Sequence, residues 1–150
     1  MPSYGGDTDT IKGLYLPLVI DYSKSVDELA RAGSYDYFNT GVLLDNSDQK
    51  DTIIEREAVV LKLNQSMISE DVVAFMAEEG LRPATLRELL TFGCAYPELQ
   101  REITIVGLGT QTLDLNVPVL LGGSFGYRGV TLWPWSGGCT SRRWFLAFRI

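Results

Sequence analysis

The second half of the chain shows no helical periodicity after about Leu99, and this absence constrains the fold more than any other feature. Four short β-type runs follow one another there, separated by glycine-rich turns: REITIVGLGT, VPVLLGG, GVTLWPW and WFLAFRI. The last run is apolar on both faces, which predicts a central or covered strand. Because the first half begins with a strand-like run and continues with helix-like segments, the sequence predicts an α+β domain with a strand- and loop-rich C-terminal half.

Three segments of the first half carry the start and stop signals of helices. Segments 25–33 and 85–93 each open with a capping box, a Ser or Thr followed three residues later by Glu, and each closes at a glycine. In segment 69–80, Ser69 is the expected N-cap, acidic residues follow in the first turn, and a glycine ends the run. The pattern therefore predicts three short amphipathic helices.

Other apolar runs of the first half are predicted to be extended. LYLPLVIDY, from Leu14 to Tyr22, is expected to be an edge strand, because Pro17 cannot donate a ladder hydrogen bond. TIIEREAVVLKL is rich in β-branched residues and predicts a strand that ends near Leu63. The shorter runs YDYF and VLLD are expected to be extended around a loop.

Length and composition predict one ordered domain over residues 1–150, with a loose polar terminus at residues 1–13. Neither an export signal nor membrane insertion is expected, because the apolar runs are far shorter than a bilayer span. Localisation therefore stays open between the cytoplasm and a virion or surface assembly.

Charge is divided unevenly along the chain. The formal net charge is −6, yet residues 124–150 contain four arginines and no acidic residue, so they carry +4 and the remainder carries −10. Since an acidic body repels phosphates, nucleic acid is not an expected partner.

The residue types that most enzymes use for acid–base work are scarce here. The chain has no histidine, which excludes Ser–His and Cys–His nucleophiles and imidazole metal ligands. Cys94 and Cys139 lack zinc-site spacing, and free thiols are favoured over a disulfide between them. GLGT and LGGSFG do not match a phosphate-binding loop and are interpreted as turns. No cofactor or metal is expected.

The stretch LWPWSGGCTSRRWF, Leu132 to Phe145, holds all three tryptophans, two arginines and no acidic residue. Strand alternation places Val130 and Leu132 on one face of GVTLWPW, and Trp133 and Trp135 on the other. Two interpretations stay open: the tryptophans pack against a second layer, or they are displayed to a partner. The residue types favour exposure to a partner, because Trp, Tyr and Arg dominate binding hot spots.

Three linked segments of the second half are GLRPATLRELLTFGCAYPELQREITIVGLGT, VPVLLGGSFGYRGVTLWPW and RRWFLAFRI. Together, over about Glu79 to Ile150, they resemble the variable proteins of diversity-generating retroelements, in particular small archaeal and candidate-phylum bacterial ones. The resemblance implies a C-type lectin-like fold, with short helices packed on antiparallel sheets and a variable segment at about residues 124–150. It also implies that exposed positions of that segment are rewritten by mutagenic reverse transcription and bind varied ligands, often proteins.

The resemblance also assigns roles to residues. Val130, Leu132 and the strand Trp144–Arg149 match scaffold positions, with Trp144 in place of the usual arginine. Trp135 matches a position that is usually aromatic and is included in the ligand-binding set. The full expected set is Ser124, Phe125, Tyr127, Arg128, Thr131, Trp133, Trp135, Ser136, Cys139, Thr140, Ser141 and Arg142. The calcium and sugar motifs of true C-type lectins are missing, so calcium-dependent sugar binding is not expected.

Two other functions stay open beside the favoured ligand-binding, non-enzymatic role with a protein partner. An enzyme with carboxylate chemistry would use Glu55, Glu57 or Asp114 near the glycine-rich turns. A structural component of a virion or surface assembly would dock through the acidic N-terminal portion.

Overall fold

The structure of the chain, a computed structural model, describes residues 11–39, 47–63, 66–137 and 143–150. Its strands are β1 (Ile11–Asp21), β2 (Tyr37–Phe38), β3 (Ile53–Leu63), β4 (Leu81–Pro83), β5 (Thr104–Val106), β6 (Asn116–Gly122), β7 (Arg128–Pro134) and β8 (Arg143–Arg149). Its helices are α1 (Val26–Ala32), α2 (Ser69–Glu78), α3 (Leu86–Ala95) and α4 (Pro97–Glu102). The run VLLD and most of the expected loose terminus lie outside the described residues, and β1 begins three residues before the predicted strand start.

The eight described strands form one sheet in the order β1-β3-β8-β5-β6-β7-β2, and β4 adds to β8. The prediction of an α+β domain with a strand-rich C-terminal half is confirmed. The expectation of antiparallel sheets is wrong at two pairs, because β5 runs parallel to β8 and β2 runs parallel to β7. β6 and β7 lie on one side of β5, and the chain then passes to the other side, where β8 runs in the same direction as β5.

The edge position of β1 and the central position of β8 in the sheet agree with the prediction from the sequence. β1 lies at one end of the sheet order and pairs with β3, so Pro17 sits on an edge strand. β8 lies between β3 and β5 and is apolar on both faces. Its Leu146 and Phe148 belong to a cluster under α1 and α3, here called the first core. Its Phe145 and Ala147 belong to a cluster under α2, here called the second core.

Both predicted capping boxes are present. The hydroxyl of Ser25 accepts the N–H of Glu28 at 3.1 Å, and the Glu28 carboxylate accepts the N–H of Ser25 at 3.0 Å. Thr85 and Glu88 make the same reciprocal pair at the start of α3. Each box satisfies two backbone donors that the first turn of a helix otherwise leaves open.

The predicted cap of α2 is wrong. Ile68 is the N-cap residue, and Ser69 is the buried first residue of the helix. Its hydroxyl donates to the carbonyl oxygen of Trp135 at 2.7 Å, so it has a distant partner and does not cap the backbone N–H groups of the first turn. The stop signal is right, since Gly80 follows the helix with a φ of 75°.

The predicted end of α3 is also wrong. The helix passes through Gly93 to Ala95, and α4, which the sequence analysis did not predict, begins at Pro97. A Cβ at Gly93 would lie 2.2 Å from the hydroxyl oxygen of Tyr35, so this glycine serves close packing and not a left-handed stop. None of the helices described is long and apolar enough to cross a bilayer.

Candidate functional site

The hairpin tip, residues 123–127 between β6 and β7, carries two exposed aromatic side chains. Phe125 is fully exposed at 107% of its reference area, and Tyr127 is 40% exposed. Phe125 and Gly126 have φ angles of 60° and 78°, in the left-handed region. The loop is held by two hydrogen bonds, from the N–H of Gly123 to the carbonyl of Tyr127 at 3.0 Å and from Nε of Arg101 to the carbonyl of Gly126 at 2.8 Å. The tip therefore presents its aromatic residues from a defined backbone.

Arg128, which the resemblance places among the display residues, is buried at 4% exposure. Its guanidinium donates to the carbonyl oxygens of Gly33 at 2.6 Å and Gly93 at 2.7 Å, and it lies 4.6 Å from the centre of the Tyr35 ring. These carbonyls lie at the C-terminal ends of α1 and α3, where the helix dipoles favour a cation. The expectation that Arg128 is displayed is wrong, because the side chain fastens the start of β7 to both helices.

Trp133 lies on the face of β7 that alternation predicts, opposite Val130 and Leu132, and Trp135, in the turn that follows the strand, packs against the same core as Trp133. Both tryptophans are half-buried against the second core, so the interpretation that they pack against a second layer accounts for much of their surface. The guanidinium of Arg143 lies 3.9 Å from the centre of the Trp133 ring, in cation–π geometry. This end of β7 keeps partly accessible aromatic surface beside a positive charge.

The remaining members of the predicted set, and the scaffold residue Trp144, differ in where the structure places them. Thr131 is half-buried and Ser136 is exposed, and the backbone of Ser124 opens the turn at the hairpin tip. Trp144, a predicted scaffold residue, is half-buried against the first core. The set also includes residues outside the described ranges, namely Cys139, Thr140, Ser141 and Arg142.

The structure separates the expected display residues into two patches. Phe125 and Tyr127 precede β7, whereas Trp133, Trp135 and Ser136 lie at its far end. Seven residues of extended strand span about 20 Å. The two patches are therefore at opposite ends of one strand and do not form one contiguous cluster.

A second region, which the sequence analysis missed, is an open cavity of about 460 Å³ at the first turn of α3. Its lining residues come from β3, β4, the start of α3, the residue that follows β1, and the loops before β3 and after β5. They are Tyr22, Asp48, Lys50, Arg56, Arg82, Pro83, Thr85, Glu88 and Gly109. The capping-box spacing identified Thr85 and Glu88 as local partners, but nothing in the sequence pattern joined them to residues more than thirty positions away.

Glu88 is the centre of this region. Its carboxylate accepts hydrogen bonds from Nη1 and Nη2 of Arg82 at 2.8 and 2.7 Å, and from the hydroxyl of Tyr22 at 2.5 Å. Burial by itself raises the pKa of this carboxyl, but the hydrogen bonds from Arg82, Tyr22 and the N–H of Thr85 outweigh it, so the pKa of Glu88 is lowered. Burial and the same hydrogen bond raise the pKa of Tyr22. The carboxylate is thus an ionised structural anchor.

The carboxylates considered for enzyme chemistry lie elsewhere. Glu55 and Asp114 are exposed, and Glu57 is an exposed residue that accepts a hydrogen bond from Arg149 at 3.3 Å. None of the three lines the cavity. Within the described ranges, no group of three or more Cys, Asp or Glu residues is arranged to hold a metal ion.

Cys94 is a half-buried thiol at the end of α3 that lies 3.6 Å from the carbonyl oxygen of Leu29. Burial raises the pKa of the Cys94 thiol. A thiol nucleophile requires the opposite shift, so this environment does not activate the sulfur.

Comparison with known proteins found no match for this chain among protein-family models, curated proteins or solved structures.

Proposed function

We propose that this protein is a ligand-binding protein whose C-terminal segment, residues 124–150, presents aromatic and arginine side chains to a partner. The observation that carries the proposal is Phe125, a fully exposed aromatic side chain on a residue with a φ of 60°. Neither property helps the chain to fold, because the ring buries no area in the monomer and a left-handed backbone costs a non-glycine residue about 1 kcal/mol. A contact made outside the monomer gives both properties a reason.

The base beneath the tip is joined to the neighbouring helices by side-chain hydrogen bonds, which favours presentation of the tip. The side-chain amide of Gln100 in α4 donates to the carbonyl oxygens of Leu121 in β6 at 3.0 Å and Gly129 in β7 at 2.8 Å. Arg128 fastens the same strand to α1 and α3. Binding residues on a fixed scaffold lose little conformational entropy when a partner covers them.

The second patch has the residue types of a binding hot spot. The half-buried Trp133 ring is stacked by Arg143, with Trp135 and exposed Ser136 nearby in the chain. Aromatic and arginine side chains of this kind carry much of the energy of protein–protein contacts. We therefore assign a protein as the partner, and we expect it to contact the hairpin tip, the tryptophan end of β7, or both.

The resemblance to retroelement variable proteins supports this function and supplies its finer form. It is the basis for proposing a C-type lectin-like domain whose exposed C-terminal positions are diversified. Short helices on a sheet and a strand- and loop-rich C-terminal half are consistent with that architecture. Under this proposal, variation falls on exposed positions and spares those that hold the sheet.

The test is the DNA that flanks the gene. A near-copy of codons 124–150 beside a reverse transcriptase gene is expected. Its mismatches to the gene should fall at adenines of the near-copy, at positions aligned with the codons of Phe125, Tyr127 and Trp133. The codons of Arg128 and Val130 are the matched control, because these buried neighbours should be identical in both copies. The absence of a near-copy, or mismatches as frequent at the buried pair as at Phe125, would overturn the diversified form of the function.

A further inference from the structure

The cavity at the first turn of α3 contains carboxylates that are already neutralised. Glu88 forms a bidentate salt bridge with the guanidinium of Arg82. Asp48 accepts hydrogen bonds from Nε of the fully buried Arg87 at 3.1 Å and from Oγ1 of Thr85 at 2.7 Å. Each negative charge on the lining therefore has its own arginine.

Two cations of the same lining lack such a counter-charge. Across the part of the chain that the structure describes, Lys50 and Arg56 take part in no ion pair. Both lie instead against the ring of Tyr22, with Nζ of Lys50 at 4.7 Å and Cζ of Arg56 at 5.8 Å from its centre. Cations that converge on a concave surface without partners attract an anion.

The geometry leaves donors available to such an anion. Arg56 donates to the hydroxyl of Tyr22 from Nε at 3.0 Å, and its two terminal nitrogen atoms remain for another acceptor. The Tyr22 hydroxyl in turn donates to the carboxylate of Glu88, which fixes the position of the Tyr22 side chain. The start of α3 adds little, since the N–H groups of Thr85, Leu86 and Glu88 are taken by side chains of the protein.

We propose that this cavity binds the oxyanion group of a small molecule, a carboxylate or a phosphate, with Lys50 and Arg56 as its charged ligands. A guanidinium offers paired N–H donors to two oxygens of one anion, and an ammonium adds a compact charge. A volume of about 460 Å³ lies within the range of small-molecule sites. The site is separate from the C-terminal binding patches, because the cavity lies at the N-terminal end of α3 and Arg128 fastens the hairpin at its C-terminal end.

Inorganic phosphate is the first probe, and sodium chloride at equal ionic strength is its reference. Phosphate is expected to raise the thermal midpoint of the wild-type protein above its midpoint in chloride. The double variant Lys50→Gln/Arg56→Gln is expected to lose that rise and to bind phosphate at least about ten-fold more weakly in a calorimetric titration. Each variant is compared with its own midpoint in chloride, so a change in stability does not imitate a loss of binding.

The matched control is Arg31→Gln/Lys62→Gln, which removes the same two charges away from the cavity. Arg31 is in an exposed ion pair with Asp27, and Lys62 lies 5.9 Å from the centre of the Trp144 ring. This variant should respond to phosphate as the wild type does. Repeating the series with malonate distinguishes a carboxylate ligand from a phosphate ligand.

Two results would overturn the proposal: no wild-type response to either anion beyond that to chloride, or an equal response in the Lys50 and Arg56 variant. Neither result bears on the C-terminal patches, so the proposed function stands or fails independently.

Discussion

The first turn of α3 and the tip of the β6–β7 hairpin both contain aromatic and polar side chains, but these side chains differ in burial and in the number of their hydrogen-bond partners. At α3, Glu88 is buried and its carboxylate has partners on three sides, Arg82, Tyr22 and the N–H of Thr85. At the tip, Phe125 is fully exposed on a left-handed backbone. Residue types alone do not separate a structural network from a binding surface, whereas burial and the number of partners do.

Arg128 shows how sharp the boundary is. It lies three residues from Phe125 in the sequence, yet its guanidinium is buried against Gly33, Gly93 and Tyr35. Like Glu88, it is a buried structural residue, because removing it would leave buried carbonyl groups without donors. Three substitutions and one change of pH test this distinction between buried structural residues and exposed binding residues.

The largest expected effect is at Glu88. Glu88→Gln should lower the free energy of unfolding by about 3 kcal/mol or more, because it leaves the Arg82 guanidinium without its counter-charge. Urea unfolding measures the change. Glu55→Gln, at an exposed position of β3, is the control and should stay within about 0.5 kcal/mol of the wild type. Equal changes in the free energy of unfolding for Glu88→Gln and Glu55→Gln would show that Glu88 has no special structural role.

The next effect is at Arg128. Arg128→Met should lower the free energy of unfolding by about 2 kcal/mol, because the carbonyls of Gly33 and Gly93 lose their charged donor in a buried place. The same urea experiment applies, with Arg31→Met on the surface of α1 as the control. If Arg128→Met were as harmless as that control, the resemblance would be right to place this residue on the display surface.

Acid weakens the ion pair and hydrogen bonds of Glu88 with a smaller expected effect than either substitution. The pKa of Glu88 is lowered in the folded state, so its ionised form stabilises the fold fully above the ordinary glutamate pKa of about 4.3. This contribution is lost as pH falls below that value towards the lowered pKa. The wild type should therefore lose more stability than Glu88→Gln between neutral pH and pH about 3, measured by urea unfolding at each pH. Parallel losses in the two proteins would contradict the sign of the shift.

The smallest effect has the opposite sign. Phe125→Gly should raise the free energy of unfolding by up to about 0.5 kcal/mol, because the relief of a strained positive φ, about 1 kcal/mol, exceeds the cost of glycine's greater freedom in the unfolded chain. Tyr127→Gly should instead be destabilising, since the Tyr127 ring packs over Gly123 and Gly129. A destabilising Phe125→Gly would mean that the ring supports the fold, which would weaken the argument for presentation.

Local patterns in the sequence were sufficient for several elements. Both capping boxes, the edge position of Pro17, the stop at Gly80 and the central position of β8 were predicted because each depends on neighbours a few residues away or on strand alternation. The predictions for Ser69 and Gly93 are wrong for one shared reason. Each has a distant partner, Trp135 or Tyr35, that replaces the local role suggested by its residue type.

What the sequence alone determined is the α+β class, the two capped helices and the alternation that sends Val130 and Trp133 to opposite faces of β7. The tertiary structure decided which aromatic and charged residues are accessible. Exposure of Phe125, burial of Arg128 and the cavity beside Glu88 depend on contacts between residues that are tens of positions apart. Periodicity records the geometry of one strand or helix, but burial is a property of the surfaces that the fold brings together.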